Sequence, residues 1–146
     1  MKMSTKGRYG LRVMIELALN YGQGPVLVDA IAINQGLSGK YIHVLVGGLK
    51  SAGLIKAVRG PNGGYELTRD PATITALEII QAMEGDLAPI PCVQNTSWCA
   101  RNDSCASREL WCEVAEAITR VLAGRTLAEL TRRHQEQKSP DPGFCI

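Results

Sequence analysis

The tight joint at Gly36-Leu37-Ser38 constrains this chain more than any other stretch. Before it, VDAIAINQ (28–35) is short and apolar on one side through Ile31, and Gly36 just after Gln35 fits a left-handed C-terminal cap. Leu37 anchors the turn. Ser38 is placed to cap a second helix, SGKYIHVLVGGLKSA, in which Tyr41, Leu45, Gly48, Leu49 and Ala52 share a face. Two helices joined this closely form a helix-turn-helix, whose second member lays its N-terminal residues against base edges in the major groove. Ser38, Lys40, Tyr41 and His43 lie at that end. Gly47 and Gly48 weaken the helix interior, each costing about 1 kcal/mol relative to alanine, and close approach of the first or second helix would account for them.

After Gly53 come two short β-prone runs, LIKAV and YELT, separated by the turn-forming RGPNGGY. They predict a hairpin with a glycine-rich tip. Pro61 fixes φ, Asn62 tolerates positive φ, and Gly63 and Gly64 remove side chains that would block another backbone. Arg59 and Gly60 stand at the base of the tip, where a guanidinium can reach a narrow minor groove or a phosphate. A hairpin directly after a helix-turn-helix is a wing. The expected fold is therefore mainly α: a winged helix-turn-helix with a small β-hairpin wing and a long C-terminal dimerisation helix.

Charge divides the chain in the same place. Residues 1–65 hold eight Lys or Arg against Glu16 and Asp29, a net of +6, while the rest carries −4. Concentrated positive charge suits phosphate contacts. Upstream, Ser4 or Thr5 can cap a first helix in which Gly10, Val13, Met14, Leu17, Ala18 and Tyr21 form an inward stripe. Its other face carries Lys6, Arg8 and Arg12 near the start, three cations that oppose the helix dipole unless an anion sits beside them. A DNA phosphate is the expected anion.

Downstream, Thr75 and Glu78 form a capping box for TALEIIQAM, with Leu77, Ile80 and Met83 inward and Gly85 ending the helix. The prolines of DLAPIP then impose an extended linker. Four of the five cysteines follow in PCVQNTSWCARNDSCASRELWC, where Cys92, Cys99 and Cys105 are spaced C-x6-C-x5-C on a turn-forming segment. Such a loop can bend three thiolates around one metal centre. Asn102, Asp103 or Ser104 can cap the next helix, whose stripe of Leu110, Val114, Ala117, Ile118, Val121 and Leu122 has little of this small chain left to cover it. That predicts a homodimer. Thr126 and Glu129 offer a second capping box for a short closing helix.

The expected organisation is a DNA-binding domain over 1–84, a cysteine loop over 85–105, the dimerisation and closing helices over 106–132, and a disordered tail over 133–146 with Cys145 as an exposed thiol. No apolar run reaches membrane-spanning length and the start lacks a secretory h-region, so a cytoplasmic protein without membrane partners is expected. In that compartment an odd set of five cysteines points to metal or redox chemistry. No nucleophile–base pair, phosphate loop or substrate motif argues for an enzyme.

The opening STKGRYGLRVMIELALN, the QGLSGKYI joint, the LKSAGLIKAVRGPNGGYELTRDP wing and the three-cysteine loop resemble the IscR-type and NsrR-type winged-helix regulators. The resemblance runs from Ser4 to about Leu130. It implies a dimeric regulator of transcription, a repressor, on a palindromic operator of double-stranded DNA. It also implies an iron-sulphur cluster held by Cys92, Cys99 and Cys105. The STKGRY opening is closer to the IscR branch and favours 2Fe-2S over 4Fe-4S. Three positions depart from the pattern. Where IscR-type proteins place a histidine three residues after the third cysteine stands Arg108, where the nitric-oxide branch uses an acidic residue of the partner's first helix stands Arg8, and where IscR-type proteins often carry an acidic residue on the recognition helix stands His43. The fourth ligand is thus open between Cys112 and an oxygen from Asp103 or Ser107. Alternatives are a structural zinc or thiol-redox site on the same cysteines, or an electron carrier.

Overall fold

Ser4 begins the first helix: its hydroxyl accepts from the Gly7 N–H at 3.2 Å, and α1 runs Thr5–Leu19. The structure, a computed structural model, describes residues 1–139. After α1 come α2 (Val28–Gln35), α3 (Gly39–Ser51), strands β1 (Ile55–Val58) and β2 (Gly64–Leu67), α4 (Ala76–Glu84), α5 (Pro91–Gln94), α6 (Ala106–Ala123) and α7 (Leu127–Lys138). Mostly helical with one antiparallel hairpin, this is a winged helix-turn-helix. Gly36 caps α2 in the left-handed region at φ 64°, and Ser38 caps α3 by accepting from Tyr41 N–H at 3.1 Å.

Val13, Met14 and Leu17 of α1, Ile31 of α2, Ile42, Leu45 and Leu49 of α3, Ile79 of α4 and Leu127 of α7 are buried in one core. Two expected stripes are rotated. On α3 the buried row is Ile42, Leu45, Val46 and Leu49, an i, i+3, i+4, i+7 set; Tyr41 is half-buried at its margin, and Ala52 is the exposed C-cap residue. On α4 the row is Ala76, Ile79, Ile80 and Met83, with Leu77 half-buried. Tyr21 is 47% exposed, because α1 ends before reaching it.

The hairpin pairs Ile55 with Leu67, Lys56 with Glu66, Ala57 with Tyr65 and Val58 with Gly64. Lys56 and Glu66 form a cross-strand ion pair at 3.3 Å. Val26 adds a bridge on the other side, exchanging hydrogen bonds with Tyr65 at 2.8 and 2.9 Å. Gly64 has to be glycine there, since a Cβ would run into the Val26 carbonyl and its φ is +150°. Asn62 does not use positive φ; the tip takes it at Gly60, φ 110°.

Thr75 and Glu78 close the expected capping box. Thr126 caps α7 by accepting from Glu129 N–H at 3.1 Å, but the Glu129 carboxylate turns to Arg125 and Arg133, at 3.2 and 3.1 Å, and leaves that box half-made. These pairs and Arg132–Glu136 carry α7 on to Lys138, past the expected boundary at 132, so the first part of the supposed tail is helical. Cys145 lies outside the described residues. None of the described helices is long and apolar enough to cross a membrane.

Candidate nucleic-acid interface

The starts of α1 and α3 meet through two tyrosines. Tyr9 and Tyr41 pack edge to face, with ring centroids 6.2 Å apart at 88°. The guanidiniums of Arg8 and Arg12 lie 5.0 and 5.1 Å from the Tyr9 ring centre. Arg12 also donates from Nε to Gln35 Oε1 at 2.8 Å, which ties α1 to the residue just before the helix-turn-helix joint. Gln35 passes the connection on to Glu16: its amide donates to Oε2 at 2.6 Å, while Asn34 donates to Oε1 at 2.5 Å. Glu16 is only 5% exposed, so this paired carboxylate fixes α2 on α1 from inside.

The anion at the N-terminus of α1 is supplied from within the chain, correcting the expectation of a phosphate. Glu84, the last residue of α4, accepts from Ser4 N–H at 3.1 Å, from Gly7 N–H at 3.0 Å and from the Ser4 hydroxyl. Its charge offsets the dipole beside Lys6 and Arg8. A Cβ on Gly7 would collide with that carboxylate. Gly48 faces chiefly α4, where the expectation was the first or second helix: a Cβ on Gly48 would lie 2.6 Å from the Met83 methyl. The half-buried Lys6 stem passes the same spot, with Cε 4.0 Å away. The sequence carried no signal for Glu84, whereas the helix-interior glycines were a signal for Met83 with the wrong partner attached.

Ser38, Lys40 and His43 are exposed, as are Arg59, Gly60 and Pro61 on the wing. The Ser38 oxygen is engaged as the α3 cap, and the Tyr41 ring is engaged with Tyr9. Gly63 is buried in the tip and donates to Gly60 carbonyl at 3.0 Å. Gly64 lies half-buried against Val26. These two glycines shape the wing and leave Arg59 to present its charge.

The cysteines sit on short turns. Cys92 is half-buried in α5, Cys99 is exposed after a 3-10 turn at Thr96–Trp98, and Cys112 is half-buried on α6. Asn102, Asp103 and Ser104 do not cap α6; they form a 3-10 turn of their own, and Cys105 takes the N-cap position without a side-chain cap bond. Cys112 therefore lies about 10 Å along the helix from it. Arg108 donates from Nε to the Cys92 carbonyl at 3.0 Å and so fastens α5 to α6. Asn102 Oδ1 is buried without a hydrogen-bond partner. Three thiols in a polar loop are the donor set of an iron-sulphur cluster, yet among the described residues no three Cys, His, Asp or Glu side chains gather into a metal-binding group. The donor chemistry suits such a cluster, and the thiols would have to be drawn together to hold it.

Comparison with known proteins places this geometry. The family model Rrf2, described as an iron-dependent transcriptional regulator, matches residues 3–133. The transcriptional regulator CymR of Bacillus subtilis is 43% identical over 130 residues, 89% of each chain. Its solved structure, titled the global cysteine regulator of B. subtilis, superposes with a TM-score of 0.78 at 41% identity, covering 91% of this chain and 98% of that one. IscR of T. potens gives the same TM-score of 0.78 at 36% identity, covering 97% and 93%. The chain belongs to the Rrf2 family of transcriptional regulators, the family of the IscR and NsrR types.

Proposed function

We propose that this regulator, which is not an enzyme, binds a palindromic operator as a homodimer and represses transcription by occupying it. The observation that carries the reading is the joint start of α1 and α3, where Arg8 and Arg12 flank Tyr9 and Tyr9 meets the recognition helix. Lys6, Arg8 and Lys40 would hold phosphates and orient the heads; Ser38, Tyr41 and His43 would stand at the base edges. Arg59, with Gly60, Pro61, Gly63 and Gly64 shaping its loop, would enter the minor groove or clamp its edge. The dimer rests on α6: none of its 18 residues is buried, and Leu110 and Val121 are 56% and 60% exposed. A second copy of α6 would cover them and set two recognition helices about 34 Å apart. Such a protein works where DNA is accessible, in the cytoplasm, with no membrane partner.

The cysteine loop would set DNA affinity. Its linker starts at Gly85, directly after Met83 and Glu84, and those two residues touch α1 and α3. Movement of the loop is thereby felt at both helices. A 2Fe-2S cluster, favoured over 4Fe-4S, on Cys92, Cys99 and Cys105 is the proposed signal, supported by the donor chemistry and by the family's description as iron-dependent. Arg108 holds the Cys92 backbone, and the unpaired Asn102 oxygen marks a loop whose polar groups are not all satisfied here. A second reading, a thiol-redox response on the same cysteines, is in line with the cysteine regulator among the relatives.

Anaerobic purification followed by spectroscopy and metal analysis tests this. Visible absorption with iron and sulphide, lost when Cys92, Cys99 and Cys105 are changed to Ala, supports the cluster. Colourless, iron-free protein whose operator affinity changes with thiol oxidation supports the redox reading, and bound zinc a structural site. Footprints without two-fold symmetry would overturn the dimeric operator model.

A further inference from the structure

The outer face of α3 holds two residues that nothing inside the protein explains. Ile42, Leu45, Val46 and Leu49 face the core, so Lys40, His43, Val44, Gly47 and Ser51 fall together on the exposed side. Val44 is a β-branched apolar residue left 52% exposed among polar neighbours. Gly47 sits mid-helix, where glycine weakens the structure. Its neighbour Gly48 faces the Met83 methyl, but a Cβ on Gly47 would meet nothing within 4 Å, and its φ is not positive. Neither packing nor backbone geometry calls for glycine there. What remains is close approach from outside, one helical turn along from Val44.

Resting on the reading of α3 as the recognition helix, we propose that Val44 and Gly47 form an apolar notch that seats the C5 methyl of a thymine in the major groove. Of the groups that bases show there, the thymine methyl is the one apolar group that projects into the groove. Valine methyls can pack on it and can satisfy none of the donors or acceptors of a G·C pair. Absence of a side chain at Gly47 lets the helix backbone come down onto the base, while Lys40 and His43, nearer the helix start, supply hydrogen bonds to neighbouring positions or phosphates. The half-site should therefore contain an A·T pair fixed by its methyl group.

The test uses the full-length protein. Binding sites are selected from a randomised duplex pool, and each thymine of the selected half-site is then replaced by deoxyuridine, which removes only the methyl. One replacement should weaken binding about fourfold per half-site, the worth of one buried methyl. In Val44→Ala that same replacement should make little difference, with the salt dependence of binding unchanged. Gly47→Ala should lose the selected sequence by tenfold or more while its thermal midpoint does not fall. The inference is overturned if no thymine is sensitive to methyl removal, or if Val44→Ala keeps the full penalty. Failure to enrich any sequence would instead sink the DNA-regulator reading, and this inference with it.

Discussion

The thioether of Met83 fills the place that a side chain on Gly10 would need: a Cβ there would lie 2.6 Å from both Cγ and Sδ. The same side chain ends against Gly48, so one methionine at the end of α4 is wedged between α1 and the recognition helix. Methionine suits such a seam because its unbranched chain follows an irregular gap. Heads and cysteine loop are joined at this point, since the linker leaves α4 two residues later at Gly85.

Alanine substitutions should rank the helix glycines. Gly10→Ala forces the middle of the Met83 side chain to move and should cost about 1–3 kcal/mol. Gly48→Ala meets only the mobile methyl end and should cost less. Gly47→Ala has open space and should stabilise by up to about 1 kcal/mol. Urea unfolding midpoints check the order; equal shifts at Gly10 and Gly47 would contradict the wedge.

Removing the Glu84 charge should loosen the start of α1. Glu84→Gln is expected to lower stability by about 0.5–1 kcal/mol at low salt, with the difference shrinking as salt rises. Ser4→Ala should cost about 1 kcal/mol. Because Ser4 and Glu84 share hydrogen bonds, the double variant should lose less than the sum of the two. Strict additivity in a double-mutant cycle would mean that the contact contributes nothing.

Glu16→Leu should be costlier than its apolar gain suggests. The substitution leaves the half-buried Gln35 amide and the exposed Asn34 amide without their acceptor, for an expected loss of about 0.5–1.5 kcal/mol. The Arg12–Gln35 bond should weaken with it, readable as faster amide exchange around the α2–α3 joint.

Acid should act through Glu78. Burial raises its pKa, but hydrogen bonds from Thr75 N–H and hydroxyl and the Arg69 guanidinium outweigh this and hold it below the ordinary 4.5. A depressed carboxylate contributes stability that is present above the unfolded value and lost as pH falls through the folded one. Stability–pH curves of wild type and Glu78→Gln should therefore differ at neutral pH and converge as pH falls below the ordinary 4.5 and through the lowered folded value. Parallel curves through that range would show that the capping box is not linked to pH.

Much of this was written locally. Ser4, Gly36, Ser38, Thr75 and the Arg59–Tyr65 turn each have short-range chemistry that fixes where a helix or hairpin begins, so the order of elements could be read along the chain. The recognition helix and wing followed from their adjacency. The stripes on α3 and α4 were less legible, because apolar residues circle both helices and only the partner decides which row turns inward.

What the sequence by itself determined, then, is the succession of caps, turns and amphipathic faces, and with it a winged helix carrying a cysteine loop. Tertiary structure alone decided that Glu84 supplies an anion at the start of α1 and that Met83 is the side chain facing Gly10 and Gly48. The reason is physical: caps and turns bond residues three or four apart, whereas each of these contacts joins segments brought together only by packing of the core, as when Glu84 reaches back 80 residues to Ser4.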